Sequence, residues 1–408
     1  MSPLRRPGLS RPFWLTWWAT TGSSLGDGLR YVAFPLIAAG ITRNPSAVAV
    51  VTAAGFLPWP LFGLLGGAVV DRTDRRRLMW RTDVLRAVLV AGFTALVLAG
   101  SATVAALAAT AFLLGVAQTF FDNAASAIMP MIVGEEKIEQ ANSWLFSSQN
   151  VMATLLGAPI GGALFALAHW LPPAADAASF ALSAALVWSV RGRFSAWTGE
   201  PPPRTRIRHD IADGLRWLYR HQLLRTLALM LAVLNGTAAA AEAVLVLYSL
   251  EVLHVGTVGY GLLLALIAVG GLAGSVLAPA AQRTFGIRPI LAAVGLVQAS
   301  MLVAVGLSSS RAVAMVAMVL VGLVSMVWNV VTISLRQRVV PARLLGRVTS
   351  SYRVVGLSAM PVGAFVGGLL ARQFGLHAPY LVCGLVGLAA TACCVPFLRS
   401  APAAAAAT

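Results

Sequence analysis

Charge is scarce in this chain of 408 residues. Asp, Glu, Lys and Arg together make up 11% of it, whereas 58% of the residues are hydrophobic. An ordinary soluble domain carries roughly 25% charged residues. The composition therefore excludes a soluble chain of two or three domains and predicts a multi-pass membrane protein.

Residue types that common active sites need are also scarce. The only lysine, Lys137, precedes Ile138, so the chain has no Gly-Lys-Ser/Thr phosphate loop and no ATPase module. The three cysteines lie in the last apolar stretch without the spacing of metal ligands, and no HExxH motif occurs. We predict that the protein is not an enzyme and uses no metal or other cofactor.

Long apolar stretches fill most of the chain instead. About 20 apolar residues take a helix across the hydrocarbon core of a bilayer. The stretches are continuous and not alternating, which favours helices over a β-barrel. They predict an all-α membrane protein with twelve transmembrane helices, at residues 14–37, 47–70, 78–100, 103–126, 143–167, 174–191, 225–250, 258–281, 289–308, 312–334, 349–371 and 378–398.

One long polar segment divides these helices into two sets of six. We predict an N-terminal half at residues 1–191, a cytoplasmic linker at 192–224 and a C-terminal half at 225–408. Within the linker, residues 208–221 are spaced so that a helix would carry its apolar residues on one face and its basic residues elsewhere. This pattern is typical of a helix that lies on a membrane surface.

Basic residues are distributed unevenly between the predicted loops. With the N-terminus inside, 26 of the 30 Lys and Arg residues fall in cytoplasmic segments and their flanks, and three fall outside. This asymmetry places both termini in the cytoplasm and the protein in the inner (cytoplasmic) membrane. Membrane topology and contact with anionic membrane lipids explain the net charge of +16, so no nucleic-acid partner is predicted.

Small residues four apart recur in equivalent helices of the two predicted halves. Such pairs allow helix backbones to approach closely. Two homologous halves around a central site are the architecture of secondary transporters. We predict packing between the halves through these glycines and one neighbouring proline, namely Gly63, Gly157, Pro159, Gly161, Gly270, Gly274, Gly363 and Gly367.

The loop after the second predicted helix carries the most specific motif. It reads Gly67, three residues, Asp71-Arg72, then a basic cluster up to Arg77. This loop resembles the signature loop of the major facilitator superfamily, and with the twelve-helix pattern the resemblance covers essentially the whole chain. Asp74 stands where many members have a second glycine, which resembles the macrolide-efflux and enterobactin-exporter-like branch of drug:proton antiporters.

The resemblance implies a conformational lock formed by Gly67, Asp71, Arg72, Arg75 and Asp122. Asp71 would face the N-terminus of the eleventh helix, and Arg75 would bridge Asp71 to Asp122 in the outward-facing state. An anion near a helix N-terminus is stabilised by the helix dipole. The alternative is that the basic cluster only fixes membrane topology.

Ionisable residues within the predicted helices each need a reason, because charge at membrane depth is costly. Asp27 lies near the middle of the first helix with Arg30 one turn further on, and Glu242 lies in the outer half of the seventh. We predict that Asp27, Arg30 and Glu242 take part in proton coupling. The alternatives are a permanent Asp27–Arg30 ion pair and a packing role for Glu242.

The first, fourth, seventh and tenth helices line the central cavity in the superfamily, which implies that Asp27, Asp122 and Glu242 face it. Other aromatic and polar side chains at mid-depth would suit a roomy amphipathic pocket. For each single pocket candidate, packing or an interhelical hydrogen bond remains an alternative to ligand contact. The antiporter motif of the fifth helix has its proline one place late, and Ala111 replaces an arginine often found in the fourth helix. The candidates are Trp59, Ser148, Gln149, Asn150, Asn235, Trp328 and Asn329.

These features predict a secondary transporter that exports a small amphipathic molecule, such as an antibiotic, another natural product or a siderophore, in exchange for protons. Its partners are the small-molecule substrate, protons and membrane lipids, and it works as a monomer. An importer or uniporter of the same fold is the first alternative. A membrane receptor or scaffold that does not transport is the second.

Overall fold

The computed structural model describes residues 9–70, 72–192, 194–195 and 207–400. Within these ranges the chain is helical and contains no β-strand, which confirms the all-α prediction. The first helices are α1 (Arg11–Ile41), α2 (Pro45–Phe56), α3 (Pro58–Val70), α4 (Arg75–Leu98), α5 (Val104–Val133), α6 (Ile138–Asn150), α7 (Ala158–Leu167) and α8 (Leu171–Ser189).

The second part of the chain continues in the same style. Two π-helical segments, Val151–Gly157 and Tyr248–Val252, and two 3-10 segments, Glu135–Lys137 and Val395–Ser400, extend or connect the α-helices. The remaining helices are α9 (Ile207–Arg220), α10 (Gln222–Leu247), α11 (Gly256–Phe285), α12 (Ile287–Leu307), α13 (Arg311–Val339), α14 (Ala342–Phe374) and α15 (Ala378–Cys394).

Local sequence explains where these helices begin and end. The Asn44 side chain accepts a hydrogen bond from Ser46 N at 3.1 Å, and Thr103 accepts one from Ala106 N at 3.1 Å, so polar caps start α2 and α5. Gly134 follows α5 with φ 75°, a conformation that favours glycine. Short polar caps thus separate long apolar helices.

Proline and a π segment interrupt two of the long helical stretches at the same depth as the cavity described below. Pro58 and Pro60 lack the backbone N–H that a continuous helix needs, and α2 ends just before them. Residues Val151–Gly157 are wound as a π-helix between α6 and α7. Such π segments occur frequently at functional sites.

Ten helical stretches of the described residues are long and apolar enough to cross a membrane. Two further helices, α1 and α4, have 31 and 24 residues and are also long enough. They fall short because α1 contains Asp27 and Arg30, while α4 begins with three arginines and contains Asp83 and Arg86. The two helices that fall short of this apolar criterion each contain an aspartate–arginine ion pair three residues apart.

The helices pack in two groups. Helices α1–α8 pack chiefly on one another, as in the pairs α1–α8, α4–α8 and α4–α5, and helices α10–α15 do the same in the pairs α10–α14, α11–α13 and α12–α15. Two seams join the groups, α2 against α14 and α7 against α11. We call these the first and second helix groups.

The contacts between the groups cluster at one end of the molecule. Arg43 Nη1 lies 3.2 Å from Glu251 Oε1, and Ser46 Oγ donates to Gly368 O at 3.1 Å. At this end α7 packs along α11, whereas α6, which precedes it on the other side of the π segment, packs on α1 and α5. We call the end with residues 42–44 the closed end.

Helix α9 lies within the predicted polar segment. Gly214 lies against Arg347 and Ser351 of α14, where an added Cβ would come within 2.6 Å of Arg347 O. Leu218 is buried and Leu215 is exposed. The helix is therefore anchored to α14, and the predicted contacts of residues 208–213 with a membrane surface lie outside the described side chains.

Candidate functional site

A cavity of about 580 Å³ lies between the two helix groups. Four residues named from the sequence line it: Asp27, Arg30, Trp59 and Glu242. The first group supplies residues of α1, α2, α3, α5 and the π segment, and the second supplies α10 and α11. Further lining residues are Tyr31, Phe34, Phe56, Leu114, Gln118, Thr154, Tyr260 and Leu264.

Arg30 is held between two carboxylates. Its guanidinium pairs with Asp27 on the same helix and places Nε 2.9 Å from Asp176 Oδ2 on α8. The Asp176 side chain is fully buried, whereas 20% of the Arg30 side chain and 23% of the Asp27 side chain are exposed. The Asp27–Arg30 ion pair is thus part of a triad with Asp176, and Asp176 lies behind the cavity wall.

Glycines on α1 explain how the triad forms. An added Cβ on Gly26 would overlap side-chain atoms of Ser179 and Asp176, and one on Gly28 would overlap backbone atoms of Ala153 in the π segment. Without side chains at these positions, α1 can lie directly against α8. This close approach brings Arg30 to Asp176.

Glu242 stands on the opposite wall of the cavity. Its Oε1 accepts a hydrogen bond from Tyr31 OH at 2.5 Å, which links α10 of the second group to α1 of the first. Tyr260 of α11 also lines the cavity close by. The two carboxylates singled out from the sequence, Asp27 and Glu242, therefore face one cavity, and each is bound to a partner on α1.

A second set of charges lies deeper in the first group. Asp83 accepts hydrogen bonds from Arg86 Nη1 at 3.2 Å and from Ser183 Oγ at 2.6 Å, and both charged side chains are at most 1% exposed. The Arg86 guanidinium stacks on the rings of Phe121 and Phe180, at 4.5 and 5.1 Å from their centroids. Its Nε and Nη2 atoms are buried and have no hydrogen-bond partner among the described residues.

Sequence reasoning missed Asp83, Arg86 and Asp176. The positive-inside count groups Arg86 with the cytoplasmic basic residues, and it assigns no role to the two aspartates. Two signals could have found them: Asp83 and Arg86 are three apart, and Asp176 stands in a stretch otherwise free of charge. Helix α4 in fact begins at Arg75, which puts Arg86 three turns inside.

Comparison with known proteins assigns this fold to a family. The sequence model of the MFS_3 family, described as transmembrane secretion effector, matches residues 1–407. The chain belongs to the major facilitator superfamily. It is a multi-pass membrane transporter and not an enzyme, as its sequence predicted.

Relatives cover nearly the whole transporter. The multidrug efflux pump Tap of Mycolicibacterium fortuitum is 26% identical over 391 residues, which are 92% of this chain and 92% of that protein. Tap of Mycobacterium bovis (strain BCG / Pasteur 1173P2) is 29% identical over 399 residues, 92% of this chain and 90% of that protein.

Solved structures show the same fold at low sequence identity. The nucleoside transporter NupG has a TM-score of 0.76 at 10% identity, covering 96% of this chain and 100% of that chain. A bacterial homologue of the human lysosomal transporter Spinster, in an inward-facing and unoccupied conformation, has a TM-score of 0.70 at 14% identity, covering 96% and 94%.

The signature loop of this transporter is tied to the segment after α8. Asp74, at the position where many members have glycine, accepts hydrogen bonds from Arg77 N at 2.9 Å and from Phe194 N at 3.0 Å. Arg75 N and Nη1 both donate to Phe194 O, at 3.1 and 3.3 Å. Asp74 thus caps α4 and at the same time fixes the loop to the end of the first helix group.

The structure describes only part of the predicted lock. Asp71 lies outside the described residues, and the surroundings of Gly67 are not among the described side chains. Arg72 is exposed. Arg75 contacts Phe194 and also Met131 Sδ at 3.5 Å, while Asp122 accepts a hydrogen bond from Gln118 at 2.8 Å. The bridge from Arg75 to Asp122 is therefore not made among the described atoms of this conformation.

Of the predicted pocket residues, Trp59 lines the cavity and the other six do not. Trp328 is 3% exposed and packs in the core of the second group. The amides of Asn235, Asn150 and Asn329 donate to Gly356 O, Phe146 O and Ser325 O at 3.0, 2.9 and 3.0 Å. Gln149 is half-buried, and Ser148 shares a 3.0 Å hydrogen bond with Thr21.

The prediction that small residues pack the halves together was wrong for the glycines. Gly157 and Gly161 face α1, Gly270 and Gly274 face α13, and Gly363 and Gly367 face α10, all within a helix group, while Gly63 has no atom near an added Cβ. Contacts between the groups come from other glycines. Gly162 meets Thr257 and Val258, Gly261 meets Ala158 and the predicted Pro159, and Gly368 meets Ser46 and Ala49.

A shift of one residue explains this correction. Successive residues on a helix are about 100° apart, so adjacent glycines face different neighbours. The small-xxx-small pattern marks a close helix contact but does not say which neighbour makes it. In the pairs Gly161-Gly162 and Gly367-Gly368, the first glycine contacts a helix of its own group. The second glycine contacts the other group at a seam.

Proposed function

We propose that this protein is a proton-coupled exporter of small amphipathic molecules that works by alternating access. It consists of twelve membrane-spanning helices in two six-helix halves, residues 1–191 and 225–408, joined by the linker 192–224. The observation that carries the proposal is the cavity with Asp27 and Arg30 on one wall and Glu242 on the other. The relatives named multidrug efflux pumps support export as its direction.

The cavity matches the proposed cargo in size and chemistry. Drug-sized ligands occupy pockets of about 300–1,000 Å³ that are mostly apolar with a few polar groups. Here the apolar surface comes from Phe34, Phe56 and Leu264, and the polar atoms come from the carboxylates, Gln118 and two tyrosines. Such a lining suits an amphipathic molecule with a cationic or hydrogen-bonding group.

The proposed proton coupling rests on the ion pair of Asp27 and the hydrogen bond of Glu242. Protonating Asp27 removes its negative charge and frees Arg30 to pair with Asp176 alone. Protonating Glu242 changes its bond to Tyr31, which is a contact between the two helix groups. A proton at either site therefore alters both the charge of the cavity and the connection of its walls, which is the property an exchanger needs.

The conformation supports alternating access. With the predicted orientation, the closed end is the outer end, and its Arg43–Glu251 and Ser46–Gly368 contacts shut the cavity from outside. The lock of Asp71, Arg72, Arg75 and Asp122 belongs to the opposite, inner end. We propose that this lock forms only when the inner end closes, and this timing accounts for the separation of Arg75 from Asp122.

Transport measurements in proteoliposomes test this function. Asp27→Asn and Glu242→Gln should each abolish proton-driven accumulation of a fluorescent cationic drug while leaving insertion intact. Tyr219→Phe, at an exposed position of α9, is the control and should transport normally. Uptake that ignores an imposed pH gradient would show a uniporter, and saturable binding without flux would show a receptor; either result would overturn the proposal.

A further inference from the structure

An apolar groove of about 350 Å³ lies between α4 and α8 on the outside of the first helix group. Six alanine and valine side chains on α4 and α8 form most of it, and a tryptophan stands on each side. Val88 and Trp188 are 63% and 64% exposed, so the groove opens to the surroundings of the bundle. The lining includes Trp80, Val84, Val88, Ala181, Ala185 and Trp188.

The groove runs inward from the end of the molecule where α4 begins and α8 ends. Trp80 is five residues after the start of α4, and Trp188 is one residue before the end of α8, so both tryptophans lie near one membrane interface. Tryptophan is enriched at such interfaces. Val84 and Val88 continue the groove by about two turns toward the membrane centre.

Positive charge surrounds the mouth of the groove. Arg77 and Arg81 lie on the same stripe of α4 as Val84 and Val88, and both are exposed. The Arg81 guanidinium stacks on the Trp80 ring at 5.5 Å from its centroid. Arg191, just past the end of α8, is exposed as well.

Nearby groups leave this positive charge available. Arg76 donates to the carbonyl oxygens of Val187 and Trp188, which satisfies free carbonyls at the C-terminus of α8. The Asp74 carboxylate is engaged by two backbone N–H groups. The mouth therefore presents exposed arginines beside an apolar slot, which matches an anionic headgroup attached to an acyl chain.

We propose that this groove binds an anionic phospholipid, with one acyl chain between Trp80 and Trp188 and the phosphate at Arg77 and Arg81. Anionic lipids of the cytoplasmic leaflet attract basic residues near the surface. The assignment of the site to the cytoplasmic leaflet rests on the proposed orientation. It does not rest on the direction or the proton coupling of transport. Asp74 caps α4 and Arg75 is its first residue, so a lipid bound at Arg77 and Arg81 lies beside the start of this helix.

Photolabelling in nanodiscs tests the site. The probe is phosphatidylglycerol with a diazirine in one acyl chain, diluted into phosphatidylcholine, and peptide mass spectrometry maps the labelled residues. We expect labels on residues 80–88 and 181–188 that unlabelled phosphatidylglycerol removes more effectively than phosphatidylcholine does. Equal competition by the two lipids would overturn the proposal, as would cysteine cross-links from groove to groove that show a second copy seated there.

Two sets of variants separate the acyl chain from the headgroup. Ala185→Phe fills the groove and should lower labelling there by about tenfold, the scale of an overpacked contact, whereas Leu182→Phe on the same helix should not. Arg77→Gln and Arg81→Gln should each reduce the preference for phosphatidylglycerol about fivefold, and Arg372→Gln should leave it unchanged. Unaltered labelling in Ala185→Phe would contradict the site.

The transport-deficient Asp27→Asn variant keeps this test independent of the proposed function. It should label in the groove like the wild type, because Asp27 lies in the central cavity and not in the groove. Loss of groove labelling in Asp27→Asn would overturn the assignment of the label to this site. Retained labelling together with absent proton coupling would reject the proposed function alone.

Discussion

The two helix groups satisfy their buried polar atoms in different ways. The first group uses charge against charge, in the triad of Asp27, Arg30 and Asp176 and in the pair of Asp83 and Arg86. Some atoms of these groups, Asp176 Oδ1 and two nitrogens of Arg86, are buried without a hydrogen-bond partner among the described residues. Buried charges of this kind depend strongly on each partner.

The second group uses neutral side chains on backbone carbonyls. Tyr248 OH donates to Val305 O at 2.8 Å, Tyr380 OH to Ala241 O at 3.2 Å, and Gln298 Nε2 to Leu234 O at 2.9 Å. Its buried Arg336 stacks on the Tyr352 ring, 4.1 Å from the centroid, and its Nη1 atom, like some atoms of the first group, has no hydrogen-bond partner among the described residues. Apart from Glu242 at the cavity, this group offers little that a proton could change.

This difference indicates a division of labour. A carboxylate that gains a proton loses its attraction for an arginine, so an interior built of ion pairs can change state with protonation. Neutral hydrogen bonds to the backbone stay the same over the physiological pH range. We therefore expect the first group, together with Glu242 at the cavity, to carry the coupling and the rest of the second group to form a stable wall. Four substitutions test the contrast.

Arg30→Ala should have the largest effect. It leaves the fully buried Asp176 without its ion-pair partner, and removing one member of a buried pair costs about 3–5 kcal/mol. Thermal unfolding in detergent and transport in proteoliposomes are the measurements, and both should fall sharply. The double variant Arg30→Ala/Asp176→Asn should regain part of the stability, and a double variant as unstable as the single one would argue against the triad.

Ser183→Ala should have the next largest effect. It removes the hydrogen bond from Ser183 Oγ to the buried Asp83 carboxylate. An unsatisfied buried acceptor costs about 1–3 kcal/mol, measured again by thermal unfolding. Ser189→Ala is the matched control, because that exposed hydroxyl bonds only to Leu186 O in its own turn, and equal losses in the two variants would contradict the expected difference.

Tyr248→Phe probes the second group. Its hydroxyl donates to Val305 O and Ser308 O, and the loss of one neutral hydrogen bond costs about 0.5–1.5 kcal/mol. Stability should fall by this amount, while the ratio of protons to drug in a flux assay should stay unchanged. A changed ratio would show that the second group contributes to coupling beyond Glu242 and would remove the proposed contrast.

Arg43→Gln should have the smallest effect on stability. The Arg43 and Glu251 side chains are 66% and 41% exposed, and such surface pairs contribute about 0–1 kcal/mol. Distances between spin labels at the closed end should shift slightly toward the open form, and high salt should mimic the shift in the wild type. A large opening from this single change would show that the packing seams contribute less than we infer.

Much of the fold could be predicted from the sequence. Every predicted span falls on a helix or on consecutive helical segments, because hydropathy sums over neighbouring residues and needs no tertiary contact. Asp27, Arg30, Trp59 and Glu242 were singled out, and all four line the cavity. Their functional roles stay predictions.

The remaining parts of the site depend on contacts between distant segments. Asp176 is 146 residues from Arg30 in sequence, and only the packing of α1 on α8 brings them together. Tyr31 and Tyr260 carried no local signal, since tyrosine is common in apolar helices near an interface. The glycines were recognised as contact points but given the wrong partners.

The sequence by itself determined that this chain lies in a membrane, that it is helical and that it belongs to a transporter family. These properties follow from composition and from motifs read along the chain. Tertiary structure alone decided which acid meets which base and which glycine forms the seam, because a side chain's partner depends on helix rotation and approach. A charged residue in an apolar helix can be recognised from the sequence alone. The partner that neutralises it is known only from the three-dimensional packing of the helices.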